Sequence, residues 1–522
     1  MRLGQHLKSA TNRNTQSVFS HQTPPWRRVS GMAIAAFAAA TLSPLMASLP
    51  AIGTGAATCV VTEAARAEKN QLREAAIKGD AAAQQRYQQL VTSEGQRLQE
   101  CRSKNWPQTQ AIWLRLYPCD AQPGKLEEVL DHIVDKGYNE VYVEVFYDGQ
   151  VLLPAASNPT AFPSVLRNPG QENVDLLAEV LPKGRQRGLK MYAWMFTMNF
   201  GYNYSQRADR QEALARNSEG KTTLTVTAES GVHDTGGSSS HTFIDPYSPI
   251  ARRDYAAILN AILERKPDGV LFDYVRYHRG IGPASVVGDV KDLWIYGEAS
   301  KQTLYQRGLN EKGRELIRRF VNTGYITAQD IEAVDKLYPS EAEPLWQGRR
   351  PGSTPVATSA SQRQPLIQWE LWYLSVAHAV QGVLDFVSLA SDRVQKEGIP
   401  SGAVFFPGGN RPVGQWGYDS RLQAWDRFGE QMEWHPMSYA NCGNPRCIME
   451  EVQRVIDMAA PETKIVPALA GYWGRSTEER PSLESQMEAL RQFAPRINAV
   501  SHFAYSWQEP ELDKQRRFCQ PR

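Results

Sequence analysis

The feature that most constrains the fold is a change of rhythm repeated along most of the chain. Short apolar runs with a two-residue period alternate with longer segments whose apolar positions recur every three to four residues. The runs predict strands over 111–117, 140–146, 189–196, 269–273, 402–406, 432–439, 464–469 and 499–507. The longer segments predict helices over 124–136, 172–187, 249–265, 366–397, 419–430, 447–459 and 482–493. Eight strands with intervening helices is the count of a (β/α)8 TIM barrel, expected here over 109–510 with a short tail at 511–522. A doubly wound sheet would need a glycine-rich phosphate turn after its first strand, and Tyr117-Pro118-Cys119-Asp120 is not one. Long insertions follow the third strand (197–248) and the fourth (278–365), on the side where barrels carry active sites. The second insertion contains helical pieces over 298–320 and 327–337, then a Pro/Ser/Gln-rich loop over 339–365.

Strand alternation assigns side chains to the barrel interior. In the second strand Val141, Val143 and Val145 share the face that packs on helices, which turns Tyr142, Glu144 and Phe146 inward. The same reasoning turns Trp113, Arg115 and Tyr117 inward on the first strand and Lys190, Tyr192, Trp194 and Phe196 on the third. It adds Leu271 and Asp273 on the fourth, and Glu433, His435, Met437 and Tyr439 on the sixth. Charged groups inside an aromatic barrel must pair, bind a ligand or sit at the wet mouth. Glu144 reads either as an ion-pair partner of Arg115 or as a chemical group, and His435 as a hydrogen-bonded core or substrate-contact residue.

The flanks and composition narrow the class. Residues 1–28 carry five basic side chains and no acidic one, and 29–62 carry no charge at all. That is the layout of a secretory signal, with cleavage expected near Ala67 or Ala47 and an uncleaved membrane anchor as the rival reading. The chain is therefore expected to be exported, to periplasm, envelope or exterior. Residues 63–103 predict two short helices ahead of the barrel, an N-terminal extension over 68–108 of the exported chain. Six cysteines suit an oxidising compartment. Cys442 and Cys447 flank a turn-rich Gly-Asn-Pro-Arg and can close a small loop, and Cys101, Cys119 and Cys519 can include a second pair. A net charge of +2 gives no footprint for nucleic acid. No CxxC pair or helically spaced histidine pair points to a metal, and no cofactor is expected.

The run Ile244-Asp245-Pro246-Tyr247-Ser248-Pro249, with Arg252-Arg253 and then Pro267-Asp268-Gly269-Val270-Leu271-Phe272-Asp273-Tyr274-Val275-Arg276-Tyr277, resembles the bacterial glycosyl-hydrolase-like family 10 proteins. Gly137-Tyr138-Asn139-Glu140-Val141 with Asp148-Gly149 and Leu153-Pro154 is similar to that family's second strand. Gly188-Leu189-Lys190-Met191-Tyr192-Ala193-Trp194 is similar to its third, with Tyr-Ala-Trp in place of His-Ala-Trp, and Trp434-His435-Pro436-Met437-Ser438-Tyr439 to its sixth. The resemblance implies a TIM barrel that hydrolyses glycosidic bonds in an envelope or extracellular polysaccharide, with peptidoglycan glycan strands among the targets. No acidic residue ends the seventh strand (Ala468-Leu469-Ala470-Gly471), so the two-glutamate plan of xylanase-type barrels is not met.

Glycoside hydrolysis needs two carboxyl groups straddling the scissile bond. Asp273, at the end of its strand, is the expected nucleophile or base, and Glu144 or Glu433 its partner acid, with Glu509 a third choice. Arg115, Arg276, Tyr277 and His435 are expected substrate contacts, and Trp194, Tyr439 and Trp507 expected sugar platforms. Asp268, ahead of its strand, reads as structural. The alternative is an exported glycan-binding or scaffold protein on a degenerate barrel.

Overall fold

The computed structural model describes residues 59–230, 241–350, 352, 358–439 and 441–518. The predicted signal lies outside the described residues through position 58, as does Cys519.

Eight parallel strands close on themselves. In chain order they are Thr109–Leu114, Glu140–Tyr147, Lys190–Phe196, Gly269–Asp273, Ser401–Phe405, Glu433–Ser438, Ala468–Ala470 and Ala499–Phe503, each beside the next. The first pairs with both the second and the eighth, which seals the barrel. All eight predicted strands are present, with ends shifted by a few residues.

The two-residue period does what the alternation required as far as Glu144; a register shift between Glu144 and Phe146 then sets Phe146, expected inside, against Phe162 and Phe200. Trp113 meets Tyr142 and Trp194 edge-on at 4.9 and 4.8 Å between ring centroids, and Tyr142 meets Tyr192 and His435 in the same way. These rings fill the lower barrel, while Val141, Val143 and Val145 are buried on the other face. Rings this large need room opposite. A Cβ on Gly402 would stand 2.7 Å from Leu271 and 2.8 Å from His435, closer than real Cβ contacts allow.

The helices run back outside the strands, among them Lys125–Asp135, Leu176–Gln186, Pro249–Leu263, Ala360–Gln395, Pro445–Met458 and Leu483–Arg491. Ala360–Gln395 is long and apolar enough to span a membrane by length and composition, yet 61% of its apolar window is buried within the molecule. Burial against the barrel accounts for its apolar face.

Three predictions need correction. The helix expected over 419–430 does not form. A three-stranded antiparallel sheet (Val286–Val287, Pro412–Val413, Gly417–Asp419) and a short 3-10 turn stand there instead. Leu422 adopts φ +46°, a left-handed conformation that no α-helix accepts, and the Asp419 carboxylate binds both the backbone N–H and the guanidinium of Arg421. The helix expected over 298–320 is two helices, Glu298–Tyr305 and Glu311–Thr323, because Asn310 caps the second by accepting from Gly313 N at 2.9 Å. The expected tail is helical over Pro510–Phe518, and its Arg516 grips buried Asp120 at 2.7 Å.

Ahead of the barrel lie the helices Glu63–Ile77 and Ala81–Lys104, tied by a Cys59–Cys101 disulfide. Lys69 reaches Glu94 and Asp135, and Asp131 collects Arg73, Tyr87 and Arg187. These buried ion pairs clamp the two helices onto Lys125–Asp135 and Leu176–Gln186. Cleavage after Ala67 would cut the first helix and discard Cys59, whereas cleavage after Ala47 would leave both intact. The Cys442–Cys447 loop is closed by a disulfide, and Cys119 is disulfide-bonded as well.

Candidate active site

The carboxyl ends of the strands form the mouth. Asp273 ends the fourth strand, and the chain turns sharply after it, with Tyr274 at φ +53°. One carboxylate oxygen accepts from Tyr274 N at 2.6 Å and the other from the Trp194 indole at 3.1 Å. Its residue is 9% exposed. Burial pushes the Asp273 carboxyl above the usual carboxylate range, against the Tyr274 N–H, Arg276, Trp194 and His241.

Glu144 lies two strands away, inward-facing and 1% exposed. Both its oxygens take donors from Arg115, with Nη2 at 3.1 Å from Oε1 and Nε on Oε2. Burial pushes this carboxyl up too; Arg115 opposes the shift, and the charges of Asp148 and Asp273 add to it. Trp194 stands between the two carboxyls: it is Glu144's register neighbour on the third strand and Asp273's hydrogen-bond donor. Two steps of about 4.8 Å separate the backbones of the second and fourth strands by about 10 Å. Inward-pointing side chains shorten that gap.

The structure does not bring Glu433 to this pair. It is the first residue of the sixth strand, at the amino end of the barrel, with Lys464 at 2.8 Å, Tyr192 OH at 3.2 Å and His435 Nε2 at 3.2 Å. Burial alone would raise this carboxyl, but the His435 hydrogen bond and the Lys464 charge outweigh it and hold it at about 2. An acid so strong keeps no proton to donate near neutrality. Buried Glu140, which takes the Tyr142 hydroxyl at 2.9 Å, completes this basal cluster.

Other expected contacts divide in the same way. His435 is fully buried between Glu433 and Tyr142, within the core below the mouth. Tyr277 is 1% exposed, within the field of Asp245 and Tyr247 in the outer layer, and its hydroxyl has no hydrogen-bond partner; it does not face the mouth. Glu509 pairs with Lys136 at 3.1 Å, and Asp268 takes Arg185 and Met191 N. Arg276 stays at the mouth, its guanidinium 4.7 Å over Tyr274 and 5.7 Å from Phe406. Half-buried Tyr439 packs on Phe503, and half-buried Trp507 on Phe503 and Tyr472. Trp194, 6% exposed, orients Asp273 and offers no open face to a sugar.

Two residues near the mouth escaped the sequence reading. Asp148, at φ +47° just past the second strand, adds negative charge beside Glu144, and the Asp148-Gly149 pair was its only signal. His241 holds the Tyr274 hydroxyl at 3.3 Å. Among the described residues, no group of three or more His, Cys, Asp or Glu side chains is arranged to hold a metal ion.

Residues 103–306 match the family model described as glycosyl hydrolase-like 10. The match takes in Glu144, Trp194 and Asp273 together. The fold is similar to the PgaB (BpsB) glycoside hydrolase domain from Bordetella bronchiseptica, at 14% identity and a TM-score of 0.44, over 78% of this chain and 98% of that one. It is also similar to a GH20 exo-β-N-acetylglucosaminidase from Vibrio harveyi (10% identity, TM-score 0.40, 80% of this chain and 53% of that one). A GH18 chitinase from Pseudoalteromonas aurantia gives 9% identity and a TM-score of 0.35, over 78% and 97%. No curated protein matches the chain.

Proposed function

We propose that the chain is an exported glycoside hydrolase that cleaves an envelope or extracellular polysaccharide with the carboxyl pair Asp273 and Glu144. The observation that carries this reading is Trp194, the register neighbour of Glu144, whose indole donates to Asp273 at 3.1 Å, so that two buried carboxyls flank one strand of the barrel. Two interacting carboxyls titrate as a pair, and the one in contact with a guanidinium ionises first. On that ground Glu144, held by Arg115, is given the part of base or nucleophile and Asp273 that of general acid. This exchanges the roles expected from the sequence. Disulfides at Cys59–Cys101 and Cys442–Cys447 support an oxidising, extracytoplasmic setting.

The test is kcat on a soluble polysaccharide for single variants. D273N and E144Q are each expected to lose at least a thousandfold while E433Q keeps its turnover. One observation favours the glycan-binding alternative: Arg115 occupies both oxygens of Glu144. Wild-type chain that sediments with glycan and releases no product would establish that reading instead.

A further inference from the structure

A second group of aromatic rings stands apart from the mouth, on the part of the helix Ala360–Gln395 that runs past the barrel. Gly382 fixes the height: a Cβ there would stand 2.7 Å from Pro246 and 2.9 Å from Tyr247. Those residues lead into the helix Pro249–Leu263, which descends from the carboxyl end of the third strand to the start of the fourth, so they lie on the mouth side. At 1.5 Å per residue, Tyr373 is about 14 Å and Trp369 about 20 Å further out along the helix axis. There the helix meets the hairpin of Pro412–Val413 and Gly417–Asp419, which follows the fifth strand. Trp369 meets Tyr373 at 4.2 Å and Trp416 at 4.0 Å between ring centroids, both edge-on. Trp416, at the hairpin tip, is 51% exposed and Tyr373 43%, and Leu366 and Val413 on the same two segments are exposed as well.

The rings are held in place before anything binds. Trp372, buried beneath, donates its indole N–H to Trp416 O at 3.1 Å. A Cβ on Gly417 would stand 2.7 Å from Val286 and 2.8 Å from Val413 O, so the hairpin is packed closely on its neighbours. The hairpin carries no charge from Pro412 to Tyr418, nor the helix from Gln364 to Trp369, and Glu370 is taken by Arg349 at 2.8 Å.

Area, charge and rigidity decide what covers such a patch. At 150–250 Å² per aromatic side chain, its open parts amount to on the order of 300 Å², against about 800 Å² per partner in a stable protein interface. These uncharged segments offer no cation cluster to an anionic membrane surface. A fixed, flat ring suits the C–H face of a pyranose, whose hydroxyls stay in water or meet the indole and phenol edges.

We infer that Trp416, Tyr373 and Trp369 form a second glycan-binding site, a surface platform that holds pyranose rings of a polysaccharide away from the scissile bond. The inference goes beyond the hydrolase reading and takes from it only the kind of polymer offered, since holding at the platform needs neither Asp273 nor Glu144.

The Asp273→Asn chain, in which nothing is to be cut, is co-sedimented with peptide-stripped peptidoglycan, chitin and cellulose, and binding isotherms are read from the supernatant. Retention on at least one polymer is expected, weakened tenfold or more by Trp416→Ala combined with Tyr373→Ala. Trp416→Phe keeps a flat ring and should stay within threefold of the parent. Trp416→Leu keeps apolar surface without the ring and should lose as much as Trp416→Ala. Melting curves that match the parent establish that each variant is folded. Retention on no polymer, retention unchanged in the double variant, or full retention by Trp416→Leu overturns the inference. So does a dimer of the parent, seen by sedimentation velocity, that the double variant lacks, because a second copy would then cover the patch. Turnover with Asp273 in place is measured separately on a soluble polysaccharide. Ring-dependent retention without turnover sinks the hydrolase reading alone, and turnover with retention indifferent to the rings sinks this inference alone.

Discussion

Glu433 offers a sharp separation between stability and chemistry. Glu433→Gln keeps the shape of the side chain, so Tyr192 and Lys464 can still donate to its oxygen at 3.2 and 2.8 Å. What disappears is the negative charge that the His435 hydrogen bond and the Lys464 ammonium stabilise, holding the carboxyl at about 2 in place of its usual 4.5. At about 1.4 kcal/mol per unit, that depression is about 3 kcal/mol of stability at neutral pH. A depressed carboxyl contributes fully above its unfolded pKa, near 4.5, and its contribution fades as pH falls through that window toward 2. Urea unfolding should therefore show E433Q less stable by about 3 kcal/mol at pH 7, with the gap shrinking steadily below pH 4.5. Turnover of folded enzyme should stay within a few fold of wild type. A variant of unchanged stability that has lost turnover would refute the reasoning and return Glu433 to the chemistry.

Trp194→Phe removes the indole donor to Asp273, a charge-assisted bond of about 1.5–3 kcal/mol. The basic limb of the kcat–pH profile should move up by about 1–2 units, because the lost donor favoured the ionised form; an unmoved limb would contradict Asp273 as the acid. Arg115→Gln takes away the cation that opposes burial at Glu144, so the acidic limb should move to higher pH, read from the same profile. Trp113, 1% exposed and ringed by Tyr142, Trp194 and Phe503, should cost about 3–5 kcal/mol as Trp113→Ala, seen as a large drop in melting temperature.

The barrel was legible because its physics is local. Val141, Val143 and Val145 alternate with Tyr142 and Glu144, and a buried parallel strand can satisfy that pattern only by facing rings inward and valines toward helices. The same alternation identified Glu144, Asp273 and Glu433 as inward but gave no weight to height along the axis. Glu433 opens its strand and Asp273 closes its own, so one meets Lys464 at the base and the other opens on the mouth. Tyr277 misled for a different reason. Once the chain leaves the strand with Tyr274 at positive φ, the two-residue period no longer applies, and Tyr277 turns into the helical layer toward Asp245. That aspartate, in the Ile-Asp-Pro-Tyr run, is a connector: it accepts from Tyr247 N and Ser300 N, and burial raises its carboxyl to about 6. The missing helix at 419–430 failed similarly, since the Asp419–Arg421 turn and the left-handed Leu422 depend on contacts that helical periodicity does not register. The Trp194–Asp273 bond joins residues 79 apart in sequence, and no spacing rule could have announced it.

The most direct test of the hydrolase reading is product release from purified glycans, peptide-stripped peptidoglycan and neutral polysaccharides alike, followed by mass spectrometry with wild-type chain beside Asp273→Asn. Shortened oligosaccharides from the wild type that vanish in the variant are the predicted result. Equal release by both chains would contradict it, because Asp273 would then stand outside the chemistry.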